Sequence, residues 1–307
     1  MDYFIQAENI TRTYEDKIAL DNFSISIPKG CIYGILGPNG AGKTTFIRII
    51  NQITKPDSGK IFFNGEPLQS KHIARIGYMP EERGLYKNMG IGEQVIYLAQ
   101  LKGMTKTQAK SRLEYWFDKL KIEKWRNKKL SELSKGMAQK IQFVVTVLHD
   151  PELLIFDEPF SGFDPVNANL IRDEILELKE KGTTILFSSH RMESVEELCD
   201  YVALINNSKK ILDDSVKEIR HKFKEGKFKV TIANITSQEI EKLRQLKQLE
   251  NLSNEGNEYT FSIKIPDNET SNSLITELSE KGEIISFCEE IPSMNQVFIN
   301  AVNSKHP

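Results

Sequence analysis

The chain has 307 residues, 39% hydrophobic and 27% charged, a globular balance with length for one full-sized domain and a smaller one. A formal net charge of −2 provides no excess of Lys and Arg to grip a phosphodiester backbone, so no nucleic-acid partner is expected. Cys31, Cys199 and Cys288 form no CxxC pair, and His72, His149, His190, His221 and His306 are scattered, which argues against a disulfide framework and a clustered metal site and suits a reducing cytosol.

The opening MDYFIQAENI carries acids and no long apolar stretch, so no signal peptide is expected. No run approaches the ~18 apolar residues of a membrane span, so any action at a membrane needs another protein to hold the chain there. Up to about residue 220, strand-like and helix-like segments alternate, the mark of an α/β domain. Ile25, Ser26 and Ile27 read as a short strand before the turn Pro28-Lys29-Gly30. Residues 31–36 are an apolar run ending at glycine, and residues 44–53 place Phe46, Ile49, Ile50 and Ile53 at helical spacing. Residues 153–156, 183–188 and 201–205 read as three further buried strands. Between them, residues 85–148 are more helical and are expected to form an inserted helical subdomain.

Past residue 220 the composition changes. Residues 221–227 are polar and read as a linker. Strands are expected at 228–232, 259–265 and 284–288 and helices at 237–249, 271–281 and 294–302, a small α+β module of ferredoxin type over 228–307.

The strongest local signal is Gly37-Pro38-Asn39-Gly40-Ala41-Gly42-Lys43-Thr44, between a strand and a helix. Glycines let successive N–H groups turn toward phosphate oxygens, and the following helix adds its positive end. In such a loop the lysine reaches the β- and γ-phosphates and the Thr44 hydroxyl ligates Mg²⁺, so ATP and Mg²⁺ are the expected ligand and cofactor. Asp157 and Glu158 follow an apolar strand, at the end where open α/β sheets bind ligands. There one carboxylate can hold Mg²⁺ and the second can orient and deprotonate an attacking water.

These residues, with others in the same order, resemble the nucleotide-binding subunit of ABC transporters over residues 3–220. Residues 37–45, ending in Thr45, match its Walker A motif. Leu133-Ser134-Lys135-Gly136-Met137 falls where that family has its LSGGQ signature, residues 153–158 match Walker B, and Ser161-Gly162-Phe163-Asp164 looks like the D-loop. His190 looks like the switch histidine, and Tyr14 lies where the family stacks an aromatic on adenine. Read alone, Ser134 is a helix N-cap and His190 an ordinary loop or buried histidine.

The resemblance implies catalysis by Glu158 and His190. It implies nucleotide contacts from Tyr14, the loop and Thr45, and from Ser134 and Gly136 of a second copy. It also implies a P-loop NTPase core with a mostly parallel sheet, head-to-tail homodimerisation and separate transmembrane permease subunits that hold the chain at the cytoplasmic face of the cell membrane. Two positions depart from the pattern. Lys135 and Met137 replace a glycine and a glutamine of the signature. Glu81 stands at the Q-loop glutamine, where it can ligate Mg²⁺ through an oxygen but cannot donate amide hydrogen bonds.

Residues 84–99 correspond to the region that receives the membrane subunit's coupling helix. The wording PEERGLY and the tail resemble a bacterial subgroup that includes sodium-export and drug-export ATPases, which makes an exporter the expected reading. A soluble ABC-type ATPase on ribosomes or DNA is the alternative. It is disfavoured because the chain neither fuses two ATPase domains nor inserts a long coiled coil.

Overall fold

The computed structural model describes residues 2–82, 84–266 and 269–303. In chain order the strands and helices begin with β1 (Tyr3–Tyr14), β2 (Lys17–Pro28), β3 (Ile32–Leu36), α1 (Lys43–Ile50), β4 (Ser58–Phe63), β5 (Glu66–Pro67) and β6 (Ile76–Met79). They continue with α2 (Ile91–Leu101), α3 (Lys106–Lys119), α4 (Lys135–Val147), β7 (Leu153–Asp157), α5 (Pro165–Glu180), β8 (Thr184–Ser188), α6 (Met192–Leu198), β9 (Tyr201–Asn206), β10 (Lys209–Ser215) and α7 (Val216–Lys222). The last are β11 (Lys227–Ala233), α8 (Ser237–Leu246), β12 (Leu249–Glu255), β13 (Glu258–Lys264), α9 (Ser271–Ser279), β14 (Glu283–Glu289) and α10 (Met294–Asn303). The chain divides into two compact units, Met1–Val216 with Phe298–Pro307, and Lys217–Val297.

In the first unit, a six-stranded sheet runs β10-β9-β3-β8-β7-β6. It is parallel from β9 to β6, with β10 antiparallel at one edge. Strands β3, β7 and β8 are buried along their whole length, as expected of a parallel sheet covered on both faces. A second sheet, β2-β1-β4-β5, is entirely antiparallel. The sequence reading anticipated only residues 25–27 of it, because the long β1 and β2 are interrupted by register shifts that blur their alternation. Helix α1 packs Phe46, Ile47, Ile49 and Ile50 into a core that also holds Phe4, Phe23 and Phe63 from this second sheet and Ile35 and Leu186 from the first. It stops earlier than expected. Gln52 adopts φ 54 and Ile53 is 60% exposed, so Ile53 lies beyond the helix and outside the core.

Residues 91–147 carry α2, α3 and α4 with two short 3-10 turns, the helical insertion expected between strands. Rings join it to the sheet: Trp116 meets Phe143 edge-on with centroids 5.9 Å apart, and Phe143 stacks on Phe156 of β7 at 5.9 Å. The buried face of α4 includes Val147, while Val145, expected on that face, is only half-buried.

The second unit contains a four-stranded sheet, β12-β13-β11-β14, all antiparallel. Numbered within the module, that order is 2-3-1-4 with helices after the first and third strands, a ferredoxin-like arrangement. Val230, Ile232, Phe261 and Ile263 of the sheet pack on Ile240 and Leu243 of α8 and Leu274 and Leu278 of α9. The sequence reading ran α8 on to Leu249 and missed β12. Lys247 is already extended, and Leu249 pairs with Ile263 in the sheet. The polar stretch taken as a linker begins inside α7, which ends at Lys222, so only residues 223–226 connect helix to strand.

One buried group makes stability depend on pH. His149 Nε2 lies 3.3 Å from the Ile76 carbonyl, which Lys102 Nζ also contacts at 2.7 Å, and His149 Nδ1 is buried without a partner. Burial, reinforced by the Lys102 charge, lowers the imidazole pKa from 6.5 to about 4. Between those values the unfolded chain takes up a proton that the folded chain refuses. Stability contributed by this site is therefore complete above 6.5 and is lost as pH falls toward 4, by about 3 kcal/mol in full. Denaturant titrations at pH 7 and pH 4.5 should show a smaller loss for His149→Gln than for the parent; equal losses would contradict this origin.

Candidate active site

The carboxyl ends of β3, β7 and β8 carry the residues that the sequence singles out. Gly37 ends β3 at φ 149, and a Cβ there would overlap the Ile205 carbonyl; Gly42 adopts φ 118, and a Cβ there would overlap the Ala19 carbonyl. Both positions require glycine on backbone and steric grounds. Pro38, Asn39 and Gly40 are exposed while Ala41 is buried and anchors the turn. Gly42 N-caps α1, which has no side-chain cap and no acidic residue in its first turn. The helix start is therefore an electropositive, uncapped end. Thr44 is exposed and Thr45 half-buried at that end.

Lys43 folds back over its own loop, donating from Nζ to the Gly37 carbonyl at 2.7 Å and the Pro38 carbonyl at 3.1 Å. Burial pulls its ammonium below the ordinary value, against the opposing charges of Glu158, Asp157 and Glu81. Asp157 is 5% exposed and accepts from the Ser188 hydroxyl. Burial raises its pKa and the Glu81 and Glu158 charges add to the rise, while Ser188 and Lys43 oppose it. A carboxylate raised in this way is one that a bound cation would relieve. Among the described residues no cluster of three or more His, Cys, Asp or Glu could hold a metal ion alone. The oxygens of the Thr44 hydroxyl and the Asp157 and Glu81 carboxylates are hard donors of the kind Mg²⁺ would take, with phosphate and water oxygens completing its shell.

Glu158 and His190 meet directly, His190 Nδ1 lying 2.8 Å from Glu158 Oε1. Ser189 Oγ donates to Glu158 Oε2 at 3.3 Å, and the Glu158 amide donates to the Ser188 carbonyl at 3.0 Å. Glu158 itself sits at φ 52, a costly conformation for a non-glycine residue and one often met at functional sites. Glu81 is exposed, at the loop after β6, near enough for its charge to act on both Lys43 and Asp157.

Tyr14 is 38% exposed, with the Arg12 guanidinium 4.6 Å from its ring centroid. Burial raises its pKa, but hydrogen bonding to Thr54, Arg12 and Thr45 lowers it further, to a net decrease. A cavity of about 560 Å³ borders Pro38, Asn39, Gly40 and Ala41 on one side and Lys17, Ile18 and Asp21 on the other. Ser134 N-caps α4, accepting from the Met137 amide at 3.3 Å. At Gly136 an added Cβ would meet nothing closer than 3.6 Å, so packing inside this copy does not demand a glycine there.

Sequence reasoning missed Ser188 and Ser189, which hold the two carboxylates, and Gln139 and Gln142 of α4, both buried. Gln142 Nε2 donates to the Pro80 carbonyl at 2.7 Å, next to Glu81. Their signal was present: two glutamines on the buried stripe of an apolar-periodic helix, and two serines closing the run TTILFSS.

A family model described as "ABC transporter" matches residues 20–161, and one described as "ATP-binding protein DrrA1-3-like, C-terminal domain" matches residues 215–302. The chain is 42% identical over 297 residues to the uncharacterized ABC transporter ATP-binding protein YhaQ of Bacillus subtilis (strain 168), covering 97% of this chain and 98% of that one. It is 36% identical over 225 residues to the ABC transporter ATP-binding protein NatA of the same strain, covering 70% and 91%. A solved ATP binding subunit of an ABC transporter superposes with a TM-score of 0.67 at 28% identity, covering 72% of this chain and 93% of that one.

Proposed function

This chain belongs to the family of ABC transporter ATP-binding subunits, and from that premise we infer how its residues divide the work. It is an ATP-binding and ATP-hydrolysing subunit that energises transport. Cassettes of this family dimerise and work with membrane subunits. The observation that carries the assignment is the convergence of the Gly37–Thr45 loop, Asp157, Glu158 and His190 at one end of the sheet, with Glu158 and His190 2.8 Å apart.

ATP places its phosphates over the loop of Gly37, Pro38, Asn39, Gly40, Ala41 and Gly42, with Lys43 and Thr45 donating and Tyr14 against the adenine. Thr44, Asp157 and Glu81 would hold Mg²⁺, directly or through water, and the ion would supply positive charge to offset that of the phosphoryl group being transferred. Glu158 accepts the proton of the attacking water. His190, oriented through Nδ1 by Glu158, turns its Nε2 toward the γ-phosphate. Ser134 already caps α4 in its own copy, and Gly136 lacks an intramolecular reason to be glycine. Both fit a surface that completes the site of a second copy, head to tail, in a homodimer.

We assign the ATPase to residues 1–220 and an accessory role to the module at 228–307. The match of that module to the DrrA1-3-like C-terminal domain supports membership of the export subgroup. Among the described residues no helix is long and apolar enough to cross a membrane, so separate permease subunits would hold the chain at the cytoplasmic face. Tyr86, Tyr97 and Leu101 are exposed apolar groups in the helical insertion and suit that contact. Fractionation tests the reading. With its permease co-expressed, most of the chain should sediment with membranes, and without it most should not. A distribution indifferent to the permease, with the chain on ribosomes, would favour the non-transport alternative.

A further inference from the structure

Helix α4 holds the loop that follows Glu158 at two points one helical turn apart. At the first, Lys135 lays its aliphatic stem across Gly162. That glycine adopts φ 86, and a Cβ built there would stand 2.8 Å from Lys135 Cδ and 3.1 Å from Cγ. At the second, the buried Gln139 donates from Nε2 to the Pro159 carbonyl at 3.3 Å. Residues i and i+4 share one helix face, so both grips come from the same side of α4.

The gripped loop is short and internally tied. The Ser161 amide donates to the Glu158 carbonyl at 3.1 Å and the Phe163 amide to the Phe160 carbonyl at 3.3 Å. Asp164 then ends the loop by capping α5, accepting from the Asn167 amide at 3.0 Å. Displacement of Gly162 therefore reaches Glu158 through a single turn, and Glu158 sits at φ 52, a conformation that persists only where its surroundings hold it.

We propose that Lys135 is a positioning residue for hydrolysis. Its methylene stem, acting with the Gln139 amide, couples the head of α4 to the loop that orients Glu158. This rests on the assignment of Glu158 as the base. A glycine at 135, the commoner residue of the signature, has no stem to lay on Gly162. The function is carried by apolar contact area, which separates it from a role for the charge.

Steady-state ATP hydrolysis by the full-length chain tests it, with four variants measured beside the parent. Lys135→Gly is expected to lower kcat about tenfold with KM for MgATP within twofold. Lys135→Met, which keeps the stem and drops the charge, should stay within twofold of the parent. Gln139→Leu, which keeps the volume and removes the donor, should lower kcat about tenfold again with KM little changed. Melting curves with and without ATP separate loss of fold from loss of positioning, because a folded, nucleotide-stabilised Lys135→Gly that is slow supports the coupling. A Lys135→Gly as fast as the parent, or a Lys135→Met as slow as Lys135→Gly, overturns it. Glu158→Gln in the same series isolates the premise. If it turns over normally, the assignment of the base fails and the coupling falls with it; if it is inactive while Lys135→Gly is normal, the coupling alone fails.

Discussion

Glu158→Gln should abolish turnover while leaving ATP binding intact. The amide keeps the size of the side chain and its place beside His190 and Ser189, so the fold has no reason to change. It cannot accept a proton from water, and positioned general bases contribute about 10²- to 10⁴-fold. A drop of kcat by about three orders of magnitude is expected. ATP then binds without being consumed, and the two-copy form should accumulate. On a sizing column the variant with MgATP should elute at twice the mass of the nucleotide-free chain. A variant that stays monomeric with ATP and retains more than a tenth of parental activity would remove Glu158 from its role. His190→Ala in parallel distinguishes the base from its partner. It breaks the 2.8 Å pair without removing the carboxylate, so its loss of kcat should be the smaller.

Lys43→Ala carries the second large effect, on binding rather than turnover. In the free chain Nζ satisfies the Gly37 and Pro38 carbonyls, at the loop to which the phosphates are assigned. Its ammonium is partly desolvated, which lowers its pKa, while Glu158, Asp157 and Glu81 oppose that lowering. Removing a charge-assisted donor to a phosphate, and leaving Asp157 and Glu158 facing it without compensation, costs about 3 kcal/mol. That corresponds to about a hundredfold weaker ATP binding, read by calorimetric titration with MgATP. The thermal midpoint without nucleotide should move little, because the Pro38 carbonyl lies at the exposed part of the loop and can turn to water. Affinity within threefold of the parent would exclude Lys43 from the phosphate site.

The candidate site was legible because its chemistry needs residue types that are rare in sequence order. A loop with glycine at 37, 40 and 42 and lysine at 43 announces itself, and Asp157-Glu158 stands out at the end of LLIF. The parallel strands were legible for the related reason that burial on both faces leaves an unbroken apolar run. All of the antiparallel sheet but residues 25–27 escaped notice because its strands alternate imperfectly, with register shifts along β1 and β2. Strand β12 escaped because LENLSNE is exposed nearly throughout. Its place comes from pairing with β13, and no pattern of its own reveals it. Helix α1 was extended too far because Ile53 keeps the helical spacing, yet the backbone turns left-handed one residue before it.

From the sequence alone came the phosphate loop, the acidic pair and the ferredoxin-type α+β reading of the C-terminal module, which depend on local composition and spacing, and, through resemblance to a known family, the order of motifs. Only the tertiary structure brought His190 onto Glu158 and Ser188 onto Asp157, each pair some 30 residues apart and joined because β7 and β8 are parallel neighbours. Only the tertiary structure laid Lys135 over Gly162. Side-chain meetings of this kind depend on which strands and helices become neighbours, and that choice is made by burial of the whole core.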